Sequence, residues 1–377
     1  MCRIVYHPKY SLYNLGETHP FSPLRVQMLI ELLKEWDLLK EFDKPEVVQP
    51  EKLEIIHNKD YIETIESLSN GVSINDFEKY GLGTSDNPIV KNMAEGARYQ
   101  CGGTLLGAKM IATGKTKKVL QLGGGFHHGH YNQAAGFCLY NDLSLAIKEL
   151  TNKGLYVAYL DIDVHHGDGV QEMFYKDDKV MTISVHESGE YLFPGKGWIH
   201  ELGQGSGRSL NLNIPLEPFS EIDSYELVLD KVIESALSWF RSDVLIVQAG
   251  ADAHFSDPLA DNLLTTYDYE KIFQKLISIG DKFCKGNIMF TLGGGYSPTA
   301  TPRIWVILYL LINNLEIPKE LPVNWKNKWE KILNLTFPNT LHDPLPAFDK
   351  IPRHDEILSY NEDTIRRLMD SVSQYWI

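Results

Sequence analysis

Six short, nearly continuous apolar runs punctuate the chain, and the stretches between them have helical spacing. The runs are KVLQLGG (118–124), LYVAYLD (155–161), KVMTISVH (179–186), SLNLNIP (209–215), DVLIVQAG (243–250) and NIMFTLGGG (287–295). A strand with one wet face alternates apolar and polar residues, whereas runs without alternation suit strands buried on both faces of a parallel sheet. The intervening PLRVQMLIELLKEWDLLKEF, NDLSLAIKELTNKG, SYELVLDKVIESALSWF and YEKIFQKLISIGDKF repeat apolar residues at steps of three and four, the signature of amphipathic helices. Strands and helices in alternation predict a doubly wound α/β fold with a central, mostly parallel sheet.

At 377 residues and 43% hydrophobic content, the chain can fill the core of one large domain spanning 1–377. The core of that domain is expected over about 1–317. From about Pro318 onward the sequence is rich in Pro, Trp and Asn, and this segment is expected to pack on the core as an extension. The longest apolar run, IWVILYLLI, is about half of a membrane span and predicts a core helix. The N-terminal MCRIVYHPKY lacks a secretory pattern, so a cytoplasmic location is expected. Cys2, Cys101, Cys138 and Cys284 are too scattered for a thiolate metal site and are read as free thiols. A formal net charge of −14 disfavours nucleic acid as a partner.

In open α/β sheets ligands bind outside the carboxyl ends of the strands. One of those ends reads YLDIDVHHGDG (159–169). Capping accounts for one aspartate there, but not for Asp161 and Asp163 at alternating positions followed by His165. Side chains at alternating positions share one face of an extended chain, so these carboxylates converge and call for a cation. Other strand ends carry His127, His128 and His130, then Asp252, then Tyr296 behind three glycines. A mononuclear zinc hydrolase needs three ligands, a proton-transfer group and an oxyanion donor. Asp163, His165 and Asp252 fill the first role, His127 and His128 the second and Tyr296 the third. Asp161 and Asp168 remain to orient the histidines.

These segments resemble the histone deacetylase family, in particular its bacterial members of the acetoin utilisation and deacetylase-like amidohydrolase type. The resemblance covers about residues 1–320, through GTSDNP, GGGFHHGHYNQAAGFCLYND, LDIDVHHGDGVQEMFY, SVHESGEYLFPGKG, QAGADAHFSDPL and LGGGYSP. It implies the arginase/deacetylase fold with an eight-stranded sheet and a metal-dependent deacylase acting on acyl-lysine in a protein or peptide, or on a small acetylated amine. It implies Zn²⁺, or Fe²⁺, on Asp163, His165 and Asp252, with His128 as general base and acid and His127 as its electrostatic partner. Asp161 would then bond His127, Asp168 would bond His128, and Tyr296 would clamp the carbonyl. Substrate contacts would come from Asp86, Gly136, Phe137, Phe193 and Leu259, although periodicity alone reads both phenylalanines as core. Arg25 matches an arginine near an internal exit for acetate. A structural K⁺ would use Asp161, Asp163, His165, Ser184 and Val185, partly through main-chain carbonyls. Two departures from the family pattern bear on the rim: Leu192 stands where an aromatic is frequent, and three glycines rather than four precede Tyr296.

A dinuclear manganese ureohydrolase would need a second carboxylate where DAHFSDP has His254, and a non-catalytic acyl-lysine-binding module would have no use for a complete set of ligands, base and oxyanion donor. Polyamine-selective relatives carry a glutamate where Leu259 stands, so leucine favours a neutral or peptide-like substrate.

Overall fold

The computed structural model describes residues 2–376. The six apolar runs form β2 (Lys118–Gln121), β3 (Val157–Asp161), β4 (Val180–Glu187), β5 (Asn211–Leu216), β6 (Val244–Gln248) and β7 (Ile288–Thr291), and a further short strand, β1 (Arg3–Val5), lies at one edge. All pairings are parallel, in the order β1-β2-β7-β6-β3-β4-β5.

The sheet therefore has seven strands among the described residues, not eight. Beyond β1 there is only a single parallel bridge, Val5 to Asp43. Pro45 follows two residues later, and a residue without an N–H cannot extend the ladder.

Both faces of the sheet are covered, as the unbroken apolar runs require. Val157, Tyr159, Val244, Ile246 and Met289 pack with Leu143, Ile147 and Ile111 on one side. Their strand neighbours Ala158, Leu160, Leu245, Val247 and Phe290 pack on the other side with Leu29, Phe273 and Trp305. The helices behind these contacts are Met93–Ala112 and Asp142–Thr151 on the first face and Leu24–Glu35, Thr266–Phe283 and Thr301–Ile312 on the second. The stretch 222–240 is helical with a π-turn segment at Val228–Ile233.

Past residue 318 two helices occur, Val323–Leu333 and His354–Ser373. Trp325, Trp329, Leu368 and Val372 join the same core as the second face of the sheet. Asp343 is buried between them and the core, where it accepts from Thr266 N, Thr266 Oγ1 and His254 and pairs with Arg303 at 2.7 Å. No helix is long and apolar enough to cross a membrane among the described residues. All four cysteines are buried free thiols.

Candidate active site

A parallel sheet places all its strand C-termini at one edge. The neighbours β2, β7, β6 and β3 thus bring together the loops carrying His127 and His128, Tyr296, Asp252, and Asp163 with His165. Residues up to 169 positions apart in sequence become neighbours by topology alone.

Asp163, His165 and Asp252 form the one three-residue metal-type cluster among the described residues, their donor atoms within 4.8 Å of one another. All three are buried. His165 Nδ1 stands 3.2 Å from Asp163 Oδ1 and 3.3 Å from Asp252 Oδ2. The remaining carboxylate oxygens are held from behind: Asp163 Oδ2 accepts from Gln248 Nε2 (2.7 Å) and Gly294 N (2.8 Å), and Asp252 Oδ1 accepts from Val164 N (3.0 Å). Burial and the adjacent Asp163 charge raise the Asp252 carboxyl, and the two carboxylates raise His165 despite its burial. Two carboxylate oxygens and one imidazole nitrogen within 4.8 Å of one another make a donor set that a divalent cation fits.

Beside the cluster, the His127 and His128 rings lie 3.9 Å apart. His127 Nδ1 bonds Asp161 Oδ2 and His128 Nδ1 bonds Asp168 Oδ1, both at 2.8 Å. Asp161 also accepts from the Tyr159 hydroxyl and Asp163 N, and Asp168 also faces His130 Nε2 at 3.2 Å. Burial disfavours charge on both rings, but Asp161 and Asp163 outweigh it for His127 and lift it to about 9. His128 is pushed down to about 3 by burial and by the charge on His127. The positive charge thus settles on His127, and His128 keeps a neutral ring able to accept a proton.

A cavity of about 210 Å³ leads to this cluster, lined by His128, His165, Tyr296, Phe137, Phe193 and Leu259, with Asp86, Gly136 and Leu192 also in its wall. Phe193 meets His128 edge-on at 5.0 Å, and Phe137 meets Tyr296 edge-on at 5.5 Å. Phe193, 44% exposed, is not core as periodicity alone suggests, whereas Phe137 is half-buried and packs against the apolar cluster that holds Phe126 and Cys138. Gly136 lies against the general-base candidate, where a Cβ would come within 2.3 Å of His128 Cδ2. Asp86 is exposed at the mouth, its carbonyl 3.2 Å from His19 Nε2. Burial, then the charges of Asp163 and Asp252, hold the Tyr296 hydroxyl protonated well above its usual range, so it is a donor at neutral pH.

Other expected residues lie around this centre. Asp161 and Ser184 are cross-strand neighbours on β3 and β4, with Val185 next along β4. Arg25 is buried behind Tyr296, donates to Gly293 O (3.0 Å) and Gly295 O (2.7 Å), and lines a second cavity of about 390 Å³. His254 turns away from the metal-type cluster, to Ser256 Oγ and Asp343 Oδ2, each at 2.9 Å. It therefore supplies no ligand for a second metal beside the first.

Two supporting residues went unassigned in the sequence reading. Gln248 closes an apolar run with a polar residue, a signal that was present. Asp257 gives no such signal, yet it accepts from Tyr296 N (2.6 Å), Ser297 N (3.3 Å) and Leu259 N (3.0 Å), tying the Tyr296 loop to the Leu259 side of the cavity.

Comparison with known proteins gives the family and the fold. Residues 19–311 match the family model described as the histone deacetylase domain. The acetoin utilization protein AcuC of Bacillus subtilis is 37% identical over 98% of this chain and 96% of its own length. AcuC of Staphylococcus aureus strain MSSA476 is 33% identical over 95% of this chain and 94% of its own. The crystal structure of an HDAC homologue from Aquifex aeolicus superposes with a TM-score of 0.83 at 27% identity, covering 96% of this chain and 99% of that one. An HDAC homologue complexed with SAHA gives 0.85 at 28% identity, with the same coverage.

Proposed function

Because the chain belongs to the histone deacetylase family and is a hydrolase of acetylated substrates, we propose that it is a zinc-dependent lysine deacylase working through the His127–His128 pair and Tyr296. The observation that carries this is the convergence of the Asp163, His165 and Asp252 cluster, the paired histidines and Tyr296 at the base of one aromatic-walled cavity. Asp163, His165 and Asp252 would hold the cation. Bound there, Zn²⁺, or Fe²⁺ in its place, would supply Lewis-acid polarisation of the amide carbonyl and a water made nucleophilic at neutral pH.

The chain's own groups do the rest. Phe137 and Phe193 sheathe the acyl-lysine stem and exclude bulk water, while Asp86 binds the substrate backbone at the mouth. His128, neutral and held by Asp168 through Nδ1, accepts a proton from the attacking water at its other ring nitrogen and returns it to the leaving amine. His127, kept charged by Asp161 and Asp163, stabilises the negative charge that develops beside it. The Tyr296 hydroxyl donates to the oxygen of the tetrahedral centre. A K⁺ bound at Asp161, Asp163, His165, Ser184 and Val185 would brace the loop from beneath.

The test is hydrolysis by the metal-loaded protein of acetyl-, lactyl- and longer acyl-lysine peptides, together with acetylpolyamines, for wild type, His128→Ala and Tyr296→Phe. Each substitution should lower kcat by roughly two to three decades with one metal per chain retained. Activity within tenfold of wild type in either variant, or two metals per chain, refutes the assignment.

A further inference from the structure

The segment 351–357, which leads into the His354–Ser373 helix, closes one side of a groove whose other walls are loops following β4 and β5 and the loop beyond Asp252. The groove encloses about 570 Å³; Tyr191, Phe219 and Ile351 line it along with Glu217, Asp261 and Arg353. It is a fixed feature. Glu217 N donates to Asn361 Oδ1 at 2.9 Å, and Asn361 Nδ2 donates to Ser220 Oγ at 2.7 Å. Phe219 N donates to Asp261 O at 3.1 Å, and Asp261 N donates to Glu187 Oε2 at 2.9 Å.

Three properties identify its occupant. The first is continuity with the catalytic cavity: Phe193 and Leu259 line the cavity, and Tyr191 and Asp261, each two positions away on the same loops, line the groove. Two residues span at most about 7 Å, so an extended chain leaving the cavity mouth reaches the groove within two or three residues. The second is exposed aromatic surface, with Tyr191 56% and Phe219 45% accessible, more than an isolated rim needs. The third is charge. Glu217 and Asp261 form no ion pair among the described residues; burial and then the Glu190 charge raise the Glu217 carboxyl, and Arg353, which also lines the groove and tempers that rise, is itself paired with Glu356 at 2.9 Å.

We propose that this groove is a docking site for the polypeptide flanking an acyl-lysine, taking an apolar or aromatic residue against Tyr191, Phe219 and Ile351 and a lysine or arginine against Glu217 and Asp261. The inference rests on the acyl-lysine reading of the cavity and adds that the substrate is a protein with a basic, aromatic flank rather than a small acetylated amine. Part of the specificity surface then comes from the C-terminal extension.

The metal-loaded full chain is assayed on Nα-acetyl-Nε-acetyl-lysine amide, on heptapeptides with a central acetyl-lysine flanked by Phe and Arg at the three positions on either side, on the same peptides with Glu in place of Arg, and on acetylspermidine. The Phe/Arg peptides should exceed the minimal amide in kcat/KM by about tenfold. Glu217→Lys combined with Asp261→Lys should cut that ratio about fivefold and raise the ratio for the Glu-bearing peptides. That swap cannot come from a merely damaged fold. Phe219→Ala should lower the ratio for both peptide sets. Equal kcat/KM for peptides and amide, an unchanged ratio in the variants, a uniform loss on every substrate, or preference for acetylspermidine overturns the groove while leaving the deacylase reading intact. Failure of wild type on every substrate overturns both.

Discussion

Gly294 sits where the backbone after β7 passes over the metal-type cluster, and adding one methyl there should abolish tight binding of the cation proposed for it. A Cβ at this position would lie 2.0 Å from Asp252 Oδ2 and 2.6 Å from Asp163 Oδ2. A carbon–oxygen contact tolerates about 3.3 Å, so in Gly294→Ala the Asp252 oxygen must retreat by about 1.3 Å or the glycine loop must lift by the same amount. Ligand distances in a metal site tolerate about 0.2 Å. Lifting the loop gives no relief, because Gly294 N is itself a donor to Asp163 Oδ2 at 2.8 Å. Losing a supporting partner alone weakens metal binding 10- to 100-fold, and displacing a ligand adds to that. The variant should therefore bind Zn²⁺ at least about 100-fold more weakly, about 2.7 kcal/mol. Competition against a chromophoric chelator reads this, and urea unfolding of the chelated protein separates it from overpacking, which should cost about 1–3 kcal/mol. Zinc affinity within tenfold of wild type would show that the cluster does not hold the metal in this geometry.

Two further outcomes follow from the same structure. Asp343→Asn should destabilise the chain by about 3 kcal/mol at neutral pH, because it strands the buried Arg303 guanidinium. Burial alone would raise the Asp343 carboxyl, but His254, Arg303 and Thr266 hold it well below the usual range; that stability is present above about pH 4 and fades on acidification, so the gap between variant and wild type in urea titrations should narrow as the pH falls. Leu259→Glu, which places a carboxylate on the cavity wall and leaves Asp163, His165, Asp252, His127 and His128 unsubstituted, should shift kcat/KM for acetylspermidine relative to a neutral acetyl-lysine peptide by roughly tenfold in favour of the polyamine. An unchanged ratio would refute the rim assignment.

What the sequence disclosed and what it hid differ by the kind of residue a task permits. The buried strands were legible as apolar runs because only a chain covered on both faces tolerates them. The three-residue β1 was too short to produce a run, and the Met93–Ala112 helix escaped for a different reason. It packs so closely that a Cβ on Gly102, Gly103 or Gly107 would strike Glu46 O, the Tyr10 hydroxyl or Met289 Sδ. Such a helix needs small residues where an amphipathic one shows a stripe of large ones.

The same division runs through the site. Groups that carry charge or protons must be Asp, His or Tyr, and in apolar surroundings these stand out; parallel topology then gathers them, since β2, β7, β6 and β3 are neighbours. Groups that position them can be almost anything: a Gln248 amide, the Gly294 N–H, the Asp257 carboxylate spanning three backbone amides. Asp343 shows how far this goes. Nothing local marks it, yet it fixes His254 with its ring turned from the metal-type cluster. His254 occupies the position where a second metal would need a carboxylate, and Asp343, 89 positions away in sequence and buried against Arg303, holds its ring away from the Asp163, His165 and Asp252 cluster.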